Sequence, residues 1–139
     1  MTSSKNLNYH SSTQDEIYWN NMSNYERIKT IEGNWLFLKY FKNQTEEEGL
    51  AGVRKSSNAL QYIDNQTDRI CFEAIRQNPL SLVLVKNKTI PICLEAVRLN
   101  PNALQYVPAS LQTLEICEKA LKIDGICLKY VVNQTERLC

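Results

Sequence analysis

The sequence predicts an all-α chain, an α-solenoid of about six stacked short helical hairpins with the last one incomplete. Three observations carry that prediction. The first is a period: Tyr18, Tyr40, Tyr62, Tyr106 and Tyr130 recur in step, with Leu84 filling the gap. The second is a hydroxyl at one place in each unit, at Ser23, Thr45, Thr67, Thr89, Thr113 and Thr135. The step is 22 residues, lengthened once to 24 where Pro108-Ala109 is added. Self-similarity at such a period marks stacked-repeat architectures. The third is helical spacing, since Ile70, Cys71, Ala74 and Ile75 share one face of a 3.6-residue helix. Helices this short are marginal in water on their own, so each must be held by its neighbours.

Taken in order, residues 1–12 lack periodicity and are expected to be a disordered tail, which contains His10, the one histidine. Residues 13–33 read as a degenerate capping hairpin. Thr13 to Glu16 fits a capping box, Ser23 to Glu26 repeats it, and Gly33 suits a left-handed helix end. Arg27 stands where later units carry cysteine, a departure expected of a terminal repeat that turns one face to water. Residues 34–139 then divide into repeats at 34–57, 58–79, 80–101, 102–124 and 125–139. Asn78-Pro79 and Asn100-Pro101 close one helix and open the next, the Asn tolerating a left-handed cap and the Pro suiting a first turn. Glu46-Glu47-Glu48 reads as a solvated run facing a helix start. Thr135 to Cys139 begins a second helix and stops after about one turn. The end around Leu128 and Val131 is therefore expected to be exposed and to associate with another copy or a partner. A leucine-rich repeat shares this period, but I-C-F-E-A-I-R and I-C-L-E-A-V-R have helical rather than alternating spacing.

A chain of 139 residues with 43% hydrophobic content is one domain's worth, and its net charge of +1 steers it toward neither nucleic acid nor membrane. No apolar run reaches the roughly 18 residues that a membrane span needs, and the polar start has no signal-like core. Cys71, Cys93, Cys117 and Cys139 fall at one place per repeat. Equivalent positions on stacked helices lie about 8–10 Å apart, too far for a disulfide or a shared zinc. They are expected to be buried, reduced and passive, with Cys127 the odd one out.

The unit L-Q-Y-(I/V)-x-N-Q-T-x-x-I-C-x-E-A-(I/V)-R-x-N-P resembles uncharacterised helical repeats present in many copies in giant DNA viruses of amoebae and in some amoeba-associated bacteria. The likeness covers about Trp35 to Cys139, most closely at Asn58–Asn78, Leu80–Asn100 and Leu128–Cys139. The resemblance implies a viral gene product and brings no catalytic residues.

The residues themselves single out a row of one charge. Arg54, Arg76, Arg98 and Lys122 occupy one position in successive second helices, nearly opposite Cys71 and Ala74 on the helical wheel. Such a row suits an acidic strip on a partner, or phosphates. The ordinary explanation is that cations favour helix C-termini and that Glu73/Arg76 and Glu95/Arg98 pair at i,i+3. The tyrosine series could form a stacking platform for single-stranded nucleic acid, but its place beside the apolar face favours packing between units. Five Asn-x-Ser/Thr sequons all fall at the repeated hydroxyl, which helix capping explains better than glycosylation. No catalytic constellation is present. The expected function is a non-enzymatic protein–protein interaction or assembly module, intracellular (host cytoplasm or virion if viral). It needs no cofactor and no metal, makes no membrane contact, and binds an acidic protein surface. Nucleic-acid binding through the basic and tyrosine rows is the alternative.

Overall fold

A single polar residue closes each ten-residue α-helix and opens the element after it, and this corner sets the architecture. At Asn34, Ser56, Asn78, Asn100 and Asp124 the backbone is extended, and the N–H donates four residues back, as from Asn78 to Ala74 O. The same residue's side-chain oxygen accepts the N–H two residues ahead, as Asn78 Oδ1 does from Leu80 at 3.1 Å. The outcome, in a computed structural model that describes residues 13–132, is an alternation of ten-residue α-helices and six-residue 3-10 helices. The α-helices are α1 (Thr13–Asn20), α2 (Asn24–Gly33), α3 (Glu46–Lys55), α4 (Asp68–Gln77), α5 (Ile90–Leu99) and α6 (Leu114–Ile123). Between and after them lie the 3-10 helices η1 (Trp35–Tyr40), η2 (Ser57–Tyr62), η3 (Pro79–Leu84), η4 (Pro101–Tyr106), η5 (Ala109–Leu111) and η6 (Gly125–Tyr130). Among the described residues there is no strand, which removes the leucine-rich-repeat reading.

Three expectations are corrected. The first helix of each repeat is 3-10 rather than α, a form usually limited to three or four residues. No glycine takes a positive φ: Gly33 is the last residue of α2, and the cap is the extended Asn34. The asparagines before proline likewise cap from extended backbone, not from the left-handed region. The expected tail at 1–12, the Thr13 side chain and the segment 133–139 with Cys139 lie outside the described residues.

The hydroxyl ladder caps the α-helices as its spacing predicts. Ser23 with Glu26 and Thr45 with Glu48 form full capping boxes, and Thr67 and Thr113 accept from the third residue of their helices. Thr89 is the exception, making no cap bond at the start of α5.

Each α-helix from α2 to α6 contacts the next, and η1, η2, η3, η4 and η6 contact one another in the same order. The core lies between these two rows. Leu38, Leu60, Leu82 and Leu104 from the 3-10 helices meet Ile70, Ile92 and Ile116 from the α-helices, all fully buried. Gly52 holds the place of Ala74, Ala96 and Ala120, because a Cβ there would collide with Leu38 Cδ1. Before α3, Trp19 stacks on Tyr40 at 5.6 Å and edges Phe41, closing the core with aromatics. Val131, expected at the exposed end, is buried, whereas Leu128 is exposed as expected.

Candidate interaction surface

The repeated N-Q-T triplet does two structural jobs at once. Gln66 donates from Nε2 to Leu60 O in its own unit at 2.8 Å and to Leu84 O in the next at 3.0 Å. Its Oε1 then accepts Lys86 N–H at 2.8 Å. Gln44 repeats the pattern on Leu38 O, Tyr62 O and Asp64 N, and Gln112 on Val107 O, Tyr130 O and Val132 N. These carboxamides clip consecutive 3-10 helices together, which explains how such unusual elements persist. Thr67 adds a second link, donating to Glu46 Oε1 of the preceding α-helix at 2.6 Å while it caps its own. Sequence reasoning passed over the glutamines. Their signal was the same amide at one position of four units, Gln44, Gln66, Gln112 and Gln134, with Met22 and Lys88 departing.

Lys88 marks a different junction. A lysine has no acceptor to offer, and its Nζ turns back to Val85 O at 2.8 Å in its own unit. The backbone position that would have met that acceptor is Pro108, which has no N–H to give. The two losses match one another, and they coincide with the two-residue insertion.

The expected cationic row is on the surface, since Arg54, Arg76, Arg98 and Lys122 are all exposed. It is also interleaved with acids. Arg54 Nε lies 3.9 Å from Glu73 Oε1 and Arg76 Nε lies 3.8 Å from Glu95 Oε1, each acid coming from the following α-helix. Arg98 makes two bonds to Glu95, at 2.9 and 3.1 Å, the i,i+3 pair that the spacing predicts. The Arg98 bonds hold the Glu95 carboxyl below its usual range, with Arg76 adding to the effect. Beyond this point the pattern breaks, because Lys119 holds the place of Glu73 and Glu95.

The tyrosines pack rather than project. Tyr40, Tyr62, Tyr106 and Tyr130 are half-buried against the core, and Trp35 lies 6.1 Å from Tyr62. Tyr18 is exposed instead. Cys71, Cys93, Cys117 and Cys127 are buried free thiols, and burial pushes Cys71 and Cys93 up to about 11. Cys127 belongs to another register, the small-residue position that Ala59, Ser81 and Ala103 fill in earlier units.

One expected solvated acid is not solvated. Glu48 is fully buried, bonded to Thr45 N–H at 3.1 Å and paired with Arg27 at 3.1 Å. Arg27 in turn donates to Lys42 O and lies over the Phe41 ring at 4.5 Å. Desolvation pushes the Glu48 carboxyl up, against the Thr45 bond and the Arg27 charge. Among the described residues no group of three His, Cys, Asp or Glu gathers at metal-binding distance, and no helix is long and apolar enough to cross a membrane.

The family model described as "Domain of unknown function (DUF4116)" matches residues 91–133, a stretch that takes in α5 after its first residue, η4, η5, α6 and η6. No curated protein and no solved structure matches the chain.

Proposed function

We propose that the chain is a non-enzymatic protein–protein interaction or assembly module, an α-solenoid that presents a repeat surface. One observation carries this reading: apart from the cationic row, most positions that recur from unit to unit are spent on the frame, and most exposed ones vary. The corner Asn or Ser, the clip Gln, the cap Thr and the buried Leu, Ile, Cys and Ala all hold the backbone or fill the core. The exposed positions change, as at Lys39, Gln61 and Val83 along successive 3-10 helices. A constant frame with a variable surface is how repeat proteins build extended binding faces. The cationic row Arg54, Arg76, Arg98 and Lys122 remains a candidate contact for an acidic partner. The resemblance to repeats of giant amoebal viruses suggests a virus-encoded factor acting on a host or virion protein.

The test is quantitative capture from amoebal lysate with cross-linking, followed by reconstitution with the purified partner. The reading expects a stoichiometric protein complex whose affinity changes modestly with salt. Binding that goes to nucleic acid and falls steeply with salt would replace it with the nucleic-acid reading, which the interleaved Glu73 and Glu95 argue against. Failure to form any stoichiometric complex would overturn it.

A further inference from the structure

We propose that the row of 3-10 helices is a docking face for one kind of occupant, an extended peptide segment with acidic ends. Its aliphatic side chains would recur about every five or six residues. The proposal rests on the interaction-module reading and adds where the partner lies and what it is. Each 3-10 helix offers two outward positions, and their chemistry alternates along the row. The first, third and last helices present aliphatic groups: Leu36 at 39% exposure, Val83 at 51% and Ile126 at 70%. The two between them present amides, the exposed Asn58 with Gln61 and the part-buried Asn102 with the exposed Gln105. The two amide pairs are built alike. Gln61 Nε2 donates to Asn58 O at 3.0 Å, and Gln105 Nε2 donates to Asn102 O at 3.0 Å.

Each of these helices touches the next, so the alternation runs along a continuous ridge. Neighbouring helices lie about 8–10 Å apart, so groups two units apart are separated by about 16–20 Å, with Val83 set one turn along its helix from the position of Leu36 and Ile126. An extended chain covers that distance in about five or six residues, at about 3.3 Å each. Between those aliphatic contacts its backbone N–H and C=O groups would face carboxamides, which carry both a donor and an acceptor. A socket exists at one end. A cavity of about 140 Å³ is lined by Asn34, Leu36, Phe37, Lys39 and Tyr40, and it is large enough for one aliphatic side chain.

Charge selects the rest of the partner. The 3-10 helices W-L-F-L-K-Y, S-N-A-L-Q-Y, P-L-S-L-V-L, P-N-A-L-Q-Y and G-I-C-L-K-Y contain no Asp or Glu. Their charged side chains are Lys39 and Lys129, one at either end of the ridge. The arginines of the α-helical face are already matched by Glu73 and Glu95, which leaves Lys119 and Lys122 of α6 as its cations beyond that ladder.

The experiment pans a phage-displayed library of random 16-residue peptides against the purified chain and measures affinities of the enriched sequences. The expected peptides carry aliphatic residues about five or six apart and acids toward their ends. The ridge double variant Val83→Asp/Ile126→Asp should weaken them at least tenfold, and Gln61→Ala/Gln105→Ala several-fold. The α-face variant Gln77→Ala/Glu118→Gln should bind them unchanged. All the substituted side chains are exposed, and a circular dichroism melt confirms that each variant folds. Enriched peptides that ignore the ridge variants would overturn the docking face while leaving the module reading intact. No enrichment above an unrelated helical protein would also overturn it. The module reading fails separately, in the reconstitution described above.

Discussion

Glu48 stands where the later α-helices carry Ile70, Ile92 and Ile116, and Arg27 stands where they carry Cys71, Cys93 and Cys117. The pair therefore replaces two apolar core residues with a buried carboxylate and a part-buried guanidinium. Breaking such a pair strands the survivor and costs about 3–5 kcal/mol, whereas replacing both partners with apolar groups is often neutral or stabilising. Glu48→Ile should be strongly destabilising in a urea melt, and Arg27→Cys/Glu48→Ile should recover most of the loss despite giving up a capping bond. A double variant as unstable as the single would mean that the pair contributes something apolar packing cannot supply. The thiols give a second prediction at this scale. Cys71 and Cys93 keep their protons to about pH 11 when folded, against an ordinary 9.0 when the chain is open. The unfolded state thus binds fewer protons between these values. The stability these thiols contribute is complete below about pH 9 and declines as pH rises toward 11. Cys71→Ala/Cys93→Ala should flatten that decline relative to the parent, by on the order of 2–3 kcal/mol per thiol at the top of the range. An unchanged alkaline slope would show that other groups set it.

At the scale of elements, the junctions between 3-10 helices are not equivalent. Gln44, Gln66 and Gln112 each tie two helices with three hydrogen bonds, and the Lys88–Pro108 junction has no such clip. A typical buried hydrogen bond contributes about 0.5–1.5 kcal/mol net, so a clip is worth about 2–4 kcal/mol locally. Apolar packing continues across the gap, since η3 still contacts η4 and α5 still contacts α6. Hydrogen exchange should therefore show the amides of η4 opening more readily than those of η2, without the unit coming apart. Gln66→Lys should lower protection in η3 to a similar level. If η3 keeps its protection in that variant, the clips are ornamental and packing alone holds the row.

How much of this was legible follows from the kind of interaction involved. Period, capping hydroxyls and apolar faces are local, so Thr45, Thr67 and Thr113 and the buried positions at Ile70, Cys71 and Ala74 were readable from spacing. The 3-10 form was not, because it depends on Gln side chains bonding backbone 18 residues away. Glu48 was misread for the same reason, since its burial depends on an arginine 21 residues earlier. The cationic row was found, but its neutralisation by acids from the next helix needed the relative placement of two helices.

For the whole molecule, that neutralisation decides what charge reversal does to folding. Exposed pairs such as Arg76–Glu95 are worth about 0–1 kcal/mol. Arg76→Glu/Arg98→Glu should consequently shift the urea midpoint by little, with a few tenths of a kcal/mol per new like-charge contact around Glu95. A large loss of stability would make the ladder a structural support rather than a surface.

The one-residue corner has a further consequence for where the chain can change length. At Asn78 the last bond of one helix and the first bond of the next meet on a single residue, so an inserted residue would have to break one of them. In the return segments the clip glutamine and the cap threonine sit at the end, as Gln112 and Thr113 do, and the residues before them at 108–110 are exposed. The single departure from the 22-residue step, at Pro108-Ala109, falls in one of them and is taken up as the extra turn η5. The molecule is thus built like a hinged rule with rigid elbows and elastic returns. Loops, tags or reporter segments belong at 108–110, and never at the elbows or at clip and cap residues such as Gln66 and Thr67.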